Sequence, residues 1–442
     1  MRAPGPKGKF FLGVMSEFNR DSLAFIEHCR EYGDIVRLRF FYLTAHFIYH
    51  PDHIEEVLAT NAKNFIKSRT LRSPFFLRLV GNGLLTSERE EWKRQRRLAQ
   101  PAFHRQRINA YGEVMVEYAE RLISNWKTNE LRDIHRDMMR LTLEIVVKTL
   151  FNADVSGDAD RVGWVLSQLV KPFASQATLK WILDNRLPTT THRNFNAAAR
   201  EIDAIVYRII SERRNSGSDE GDLLSMLLAA HDEDGSQMSD RQLRDEVMTL
   251  FLAGHETTAL TLSWAWYLLA QNPEAEKKFH AELDEVLGDR PPTVADLPRL
   301  KYTEQIAKES MRLYPPAYGL GREAIEGFTL GDYYVPAKSQ VFMFQWAVQR
   351  DPRFYSEPNR FLPERWTEQF TASLPKYAYF PFGGGPRACI GNCFAMMEVV
   401  LLLATIGRRF RFALSAKHSV SLLPSMSLRP AQGIRVIATR RN

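Results

Sequence analysis

Cysteine is nearly missing: Cys29, Cys389 and Cys393 are the only three in 442 residues. An odd number without framework spacing excludes a disulfide-stapled scaffold and favours a reducing compartment. A long apolar run at the start is missing too. The opening MRAPGPKGKFFLG is basic and rich in Pro and Gly, without the apolar core of a signal peptide or a membrane span. No integral membrane anchor and a cytoplasmic location are therefore expected. Internal repeats and long linkers are also absent; the polar stretches Asn215 to Asp222 and His231 to Ser236 read as loops between helices. The expectation is one domain over residues 1–442, as a monomer.

What is present is core material: 45% hydrophobic residues, with 27 Phe, 15 Tyr and 8 Trp, enough for a large folded body. Helical periodicity predicts a first helix near Asp21 to Glu31 and further helices over Glu113 to Leu150, Phe195 to Ile210 and Leu223 to Leu228. Alternation over Ile35 to Tyr49 predicts a hairpin, and the texture turns to Gly, Pro and β-formers beyond Pro315. The fold class is mainly α with a smaller β-rich part, at about residues 34–50 and 315–342 plus C-terminal strands.

The net charge is +7, which raises nucleic acid, an acidic membrane surface and an acidic protein as partners. Basic residues concentrate between Arg89 and Arg107. No helix-turn-helix, zinc finger or aromatic ribonucleoprotein signature accompanies them, so nucleic acid is not expected. Within this run Trp92 and Arg96 stand at i and i+4, able to reach one anionic group together.

The longest helical signal runs from Ser239 to Gln271, opened by a Ser239/Gln242 capping pattern and closed by Asn272-Pro273. Its apolar centre, FLAGHETTALTLSWAW, holds Ala253, Gly254, His255, Glu256 and Thr257. Glycine there costs about 1 kcal/mol relative to Ala. An acid beside two β-branched alcohols packs poorly, and function is a common reason for such a breach. A Thr hydroxyl bonding back one turn could open a notch over Gly254 for a small ligand; a tolerated Gly in a crowded core reads equally well. Glu309 and Arg312 share one helix face, and Arg365 in FLPERW is a third member of a buried network pinning coil to helix, a structural role.

FGGGPRACIG, residues Phe382 to Gly391, sets bare backbone and an arginine before a lone thiol. Too few ligands exist for structural zinc or an iron–sulfur cluster. No Gly-Lys-Ser/Thr makes a P-loop, and no His between His280 and His418 could activate the thiol. Axial ligation of a haem iron remains. Gly383 and its neighbours would let the backbone approach a flat macrocycle and aim N–H donors at the sulfur. Arg387 would pair with a propionate, and Cys393 reads as inert.

Phe382, Gly385, Arg387, Cys389 and Gly391 reproduce the Phe-x-x-Gly-x-Arg-x-Cys-x-Gly signature, and the chain thereby resembles the cytochrome P-450 superfamily of haem-thiolate monooxygenases. Ala253 to Thr258 resembles the family's oxygen-binding helix. Glu309 with Arg312, Arg365, and Trp92 with Arg96 match further motifs, in the family's order over essentially the whole chain. By the same likeness Arg322 is another propionate-binding arginine.

The resemblance implies the cytochrome P-450 fold and haem b (iron protoporphyrin IX). It implies thiolate donation from Cys389, with protons delivered by Glu256 and Thr257. One oxygen atom would enter a hydrophobic small molecule of fatty acid, terpenoid or steroid type, by hydroxylation or epoxidation. Electrons would come from a separate ferredoxin or flavodoxin and reductase, docking on the basic run Lys93 to Arg107. Family positions assign the substrate pocket to Phe75, Phe76, Leu252, Ala317, Leu320 and Leu423, with Arg69 or Arg72 as a possible carboxylate anchor. A peroxide-driven peroxygenase is the alternative, and a non-enzymatic haem sensor a weaker one.

Overall fold

The computed structural model describes residues 1–153, Val162, Val165, 190–230, 237–416 and 418–441; the expected loop His231 to Ser236 lies outside them. Its axis is the helix Asp240–Gln271, roughly 48 Å long at about 1.5 Å per residue. Ser239 Oγ accepts the Gln242 amide at 3.3 Å, and Asn272 followed by Pro273 ends the helix. From Leu243 to Trp266 every residue is buried except Ala253, Gly254 and Thr257. A helix apolar almost all round must be enclosed on all sides.

Helix Ile134–Phe151 packs along this axis; Arg105–Ser124 packs against it and against Asn392–Arg409, which also touches the axis. The helical reading of Glu113 to Leu150 thus resolves into two helices. Between them the strand Glu130–Asp133 pairs with Arg435–Arg440, too short a strand to register as alternation. Asp133 then caps the next helix, accepting the His135 and Arg136 amides.

The largest sheet orders its strands Ile35–Phe40, Leu43–Ile48, Gln340–Met343, Leu320–Ala324 and Phe65–Lys67. All pair antiparallel except Leu43–Ile48 with Gln340–Met343. At its edge Lys67 stands opposite Arg322, so their side chains share one face.

The Glu309 network forms as expected. Arg312 donates to both Glu309 oxygens at 2.8 Å; Arg365 Nε at 3.0 Å and Trp366 Nε1 at 2.9 Å complete the carboxylate's partners with the Leu362 amide at 3.0 Å. Arg312 also takes the Gln349, Pro358 and Arg360 carbonyls. Helix Lys301–Leu313 is thereby tied to the coil at 358–366, which leads toward the thiol loop.

Candidate active site

The thiol loop is built first for its own chain. Gly383 (φ 69°) and Gly385 (φ 64°) occupy the left-handed region, where side chains are disfavoured. A Cβ on Gly384 would fall 2.2 Å from the Tyr377 ring, and one on Gly385 1.8 Å from the Leu58 carbonyl oxygen. The bare backbone expected to admit a macrocycle is thus required at Gly384 and Gly385 by neighbouring protein. At Gly383 a Cβ would meet nothing nearer than Leu320 Cδ1 at 3.4 Å. The Cys389 amide donates to the Phe382 carbonyl at 2.9 Å, closing the loop, and Gly391 caps helix Asn392–Arg409.

The Cys389 side chain is accessible, yet protein crowds it enough that burial pushes its thiol above the ordinary 9.0; the Gly391 amide and the Arg96 guanidinium pull the other way. Accessibility together with desolvation describes a sulfur facing an interior recess. Arg96 Nη1 donates to the Ala388 carbonyl at 2.7 Å, fixing the residue before the thiol. Cys393 is exposed as well.

Beside the loop lies a surplus of buried positive charge. Burial, then Arg387, depresses the Lys67 ammonium to about 7; burial, then Arg387, brings Arg322 to about 10. Against Lys67, Arg96, Arg322 and Arg387 stand Glu88, which accepts the Lys67 amide at 2.5 Å and Arg387 Nη2, and Glu246, which acts on Lys67. Among the described residues Arg387 Nη1 is buried without a hydrogen-bond partner, and its guanidinium carbon lies 5.4 Å from the Trp92 ring centroid. Of the pair Trp92 and Arg96, the Trp92 ring packs on Arg387, and Arg96 Nη1 holds the loop. Lys67 Nζ donates to the Leu84 and Ser87 carbonyls, pinning the segment that ends in Glu88. Uncompensated buried cations are costly, and a ligand with carboxylates relieves that cost, so this donor set fits the propionates of a haem.

On the central helix, Ala253 and Thr257 are accessible one turn apart, a stripe facing an interior space. Thr257 Oγ1 donates to the Ala253 carbonyl at 2.7 Å, and Thr258 Oγ1 to Gly254 at 3.2 Å. The back-bonding is as expected, but the helix stays α-helical throughout. A Cβ on Gly254 would lie 2.7 Å from Val146 Cγ2; the glycine admits the neighbouring helix.

Glu256 turns elsewhere. Its carboxylate accepts Arg429 Nε at 2.7 Å and Nη2 at 2.6 Å, and the Ser427 hydroxyl. Burial pushes the carboxyl up, but Arg429 and Ser427 outweigh it and hold it below the ordinary 4.5. Trp264 Nε1, donating to the Leu428 carbonyl at 3.0 Å, seats the hairpin that brings Arg429 there. Glu256 and Thr257, adjacent in sequence, therefore have different surroundings.

A second buried acid, Glu398, lies on helix Asn392–Arg409, its carboxyl pushed well above 4.5 by burial. Thr258 pulls the other way without offsetting it. An acid inside the apolar run MMEVVLLLATI was a signal available in the sequence and passed over.

Of the expected pocket residues, Phe76 and Leu252 are packed in the core, and Ala317 and Leu320 are half-buried. Phe75 lies in helix Pro74–Val80, with its side chain outside the described residues. Leu423 lines a groove of about 690 Å³ with Leu422, Pro424, Trp346, residues 20–24 and Glu27. Arg69 and Arg72 both pair with Glu323, at 2.7 and 2.8 Å, so the carboxylate-anchor option is already taken by protein.

Among the described residues no helix is long and apolar enough to cross a membrane. The cytochrome P-450 family model matches residues 3–438. The chain is similar to cyclooctatin synthase of Streptomyces melanosporofaciens, 38% identical over 92% of this chain and 89% of the relative. It is 32% identical to pentalenene oxygenase of Streptomyces avermitilis, over 97% of this chain and 94% of the relative. A crystal structure of a cytochrome P-450 haem domain superposes with a TM-score of 0.90 at 27% identity, covering 100% of this chain and 98% of that one. A haem-thiolate motif on this fold, with cations placed for carboxylates, has one consistent identity: the chain belongs to the cytochrome P-450 family and is a haem b monooxygenase.

Proposed function

We propose that this enzyme oxidises a terpenoid hydrocarbon or alcohol, that Cys389 would hold the iron of its haem through the thiolate, and that a separate acidic partner supplies the electrons. The observation that carries the ligand assignment is the accessible yet desolvated Cys389 sulfur, flanked by the Gly391 amide and Arg96. When bound, haem supplies activation of dioxygen, and thiolate donation favours cleavage of the O–O bond.

The rest is the chain's own work. Arg387, with Nη1 to spare, and Arg322 take the propionates. Thr257 offers its hydroxyl on the accessible stripe; Glu256, kept ionised by Arg429, carries no proton of its own and passes one on only after taking it up from solvent. The apolar residues around Ala253, Ala317 and Leu320 exclude water and suit a greasy substrate.

The terpenoid reading rests on the relatives. Besides those above, cyclooctat-9-en-7-ol 5-monooxygenase is 35% identical over 90% of this chain. The electron donor is inferred from charge: helix Arg89–Ala99 presents Lys93, Arg94 and Arg97, which would attract an acidic ferredoxin or flavodoxin. Charge reversal at Arg94 and Arg97 is expected to slow electron transfer and flatten its salt dependence.

The deciding experiment pairs two spectra. A strongly red-shifted Soret band in the ferrous carbon monoxide complex is expected; an ordinary haem band would overturn the Cys389 assignment. A low-spin to high-spin shift is then expected with cyclic terpenes. A response confined to fatty acids or steroids would refute the substrate class.

A further inference from the structure

Three of the most exposed large apolar side chains belong to two chain segments that touch. Phe10 is 98% exposed, Phe11 70% and Tyr42 82%. Phe11 meets Phe41 edge-to-face with ring centroids 5.2 Å apart. The residues sit on two turns: a tight N-terminal one, where Lys9 bridges to Gly13, and the two-residue turn Phe41-Tyr42 between strands paired at Phe40 and Leu43.

One guanidinium locks the turns together. Arg39 donates to the Lys9 and Phe10 carbonyls at 2.7 Å and to the Phe41 carbonyl at 3.1 Å. The backbone adds Val14 N to Arg39 O at 2.9 Å. The aromatics therefore project from a braced platform.

Folding alone gives no reason for this arrangement. Phe41 has φ 55°, a conformation that suits Gly, Asn or Asp in a two-residue hairpin and is strained for an aromatic residue. An exposed, strained aromatic tip is a common mark of function.

Charge narrows the occupant. Residues 1–14 carry Arg2, Lys7 and Lys9, and residues 35–48 carry Arg37 and Arg39, with no Asp or Glu in either segment. Of the flanking acids, Asp34 accepts Arg353 at 2.7 and 3.0 Å, and Glu17, which accepts Ser16 Oγ at 2.7 Å, keeps its charge near Lys9 and offsets part of the positive surplus.

We infer that the tip formed by Phe10, Phe11, Phe41 and Tyr42 inserts into the headgroup region of an anionic lipid surface, held there by the surrounding Lys and Arg side chains. Aromatic rings with a polar or cationic rim partition to that depth, and each nearby cation adds attraction to anionic lipid. Peripheral docking of this kind needs no membrane-spanning helix, and it stands independently of the substrate proposed above.

The test uses the full haem-loaded chain in co-sedimentation with vesicles of phosphatidylcholine alone or with about 30% phosphatidylglycerol, an anionic share chosen to give a surface potential. Partition onto anionic vesicles is expected to exceed that onto neutral ones by at least about tenfold and to fall with salt. The triple variant Phe10→Ser, Phe11→Ser, Tyr42→Ser is expected to lose at least about tenfold, with the haem spectrum unchanged. Lys7→Gln with Lys9→Gln should weaken binding and its salt dependence. If the triple variant misfolds, Tyr42→Ser alone decides, because its ring is at the tip. Equal partition of wild type and variant overturns the proposal. So does self-association that the triple variant abolishes without any vesicle binding, which would make a second copy the occupant.

Discussion

Arg429 grips Glu256 with two nitrogens, at 2.7 and 2.6 Å, across 173 residues of sequence. The pair holds a carboxylate charged in the middle of a buried helix. Arg429→Met would leave that charge unpartnered, a loss of about 3 to 5 kcal/mol if it stayed ionised; the carboxyl should instead rise and take a proton. The sign with pH follows. In the wild type the folded carboxyl lies below 4.5, so the pair's contribution is full above 4.5 and is lost as pH falls through the lower folded value. In the variant that contribution is gone, and lowering the pH should relieve the buried acid. Melting temperature against pH is the measurement, and parallel curves would show that Arg429 does not keep Glu256 ionised.

Cys389 and Cys393 are both accessible thiols four residues apart, but only Cys389 has the Gly391 amide and Arg96 beside it. Cys389→Ser is expected to abolish the red-shifted carbon monoxide band and monooxygenase turnover. Cys393→Ser should leave both within about twofold, since nothing but an exposed thiol changes. Loss of the band in Cys393→Ser would reverse the assignment.

Glu309 is the hub of a buried network whose removal should be felt in folding. Glu309→Ala leaves Arg312 fully buried and Arg365 nearly so without their carboxylate, a cost of about 3 to 5 kcal/mol. The expected result is little folded, haem-loaded protein and early melting. A variant that folds normally with reduced turnover would instead point to a direct part in the chemistry.

What could be read from the sequence was local. The thiol loop, the Thr257 stripe and the Glu309–Arg312 pair lie within one or two turns of chain, where spacing alone sets who can meet whom. Gly254 was recognisable as an anomaly, yet its cause, Val146, comes from another helix. Lys67, Glu88, Ser427 and Arg429 were invisible for the same reason: strand register beside Arg322 and the seating of a C-terminal hairpin on Trp264 place them. The short strands Phe65–Lys67 and Glu130–Asp133 have no periodicity to detect; their partners define them.

Glu88 is the acid that Arg387 grips in this cation cluster, and the chain strains to aim it. It stands at the start of helix Arg89–Ala99 without capping it, and the next residue, Arg89, has φ 51°. Its oxygens hold the Lys67 amide and Arg387 instead, leaving Arg387 Nη1 without a partner among the described residues, as the proposed propionate contact requires. Glu88→Ala should therefore loosen Arg387 and speed haem loss about 10- to 100-fold, the range seen when an outer-sphere partner is removed. Removal of a negative charge near the iron should also raise the reduction potential. Glu88→Gln keeps an acceptor for the Lys67 amide, so haem loss should be slower than in Glu88→Ala while the potential still rises. Haem transfer to apomyoglobin and a spectroelectrochemical titration read the two effects separately. Slower haem loss in Glu88→Ala would mean that Glu88 competes with the propionate for Arg387 rather than orienting it.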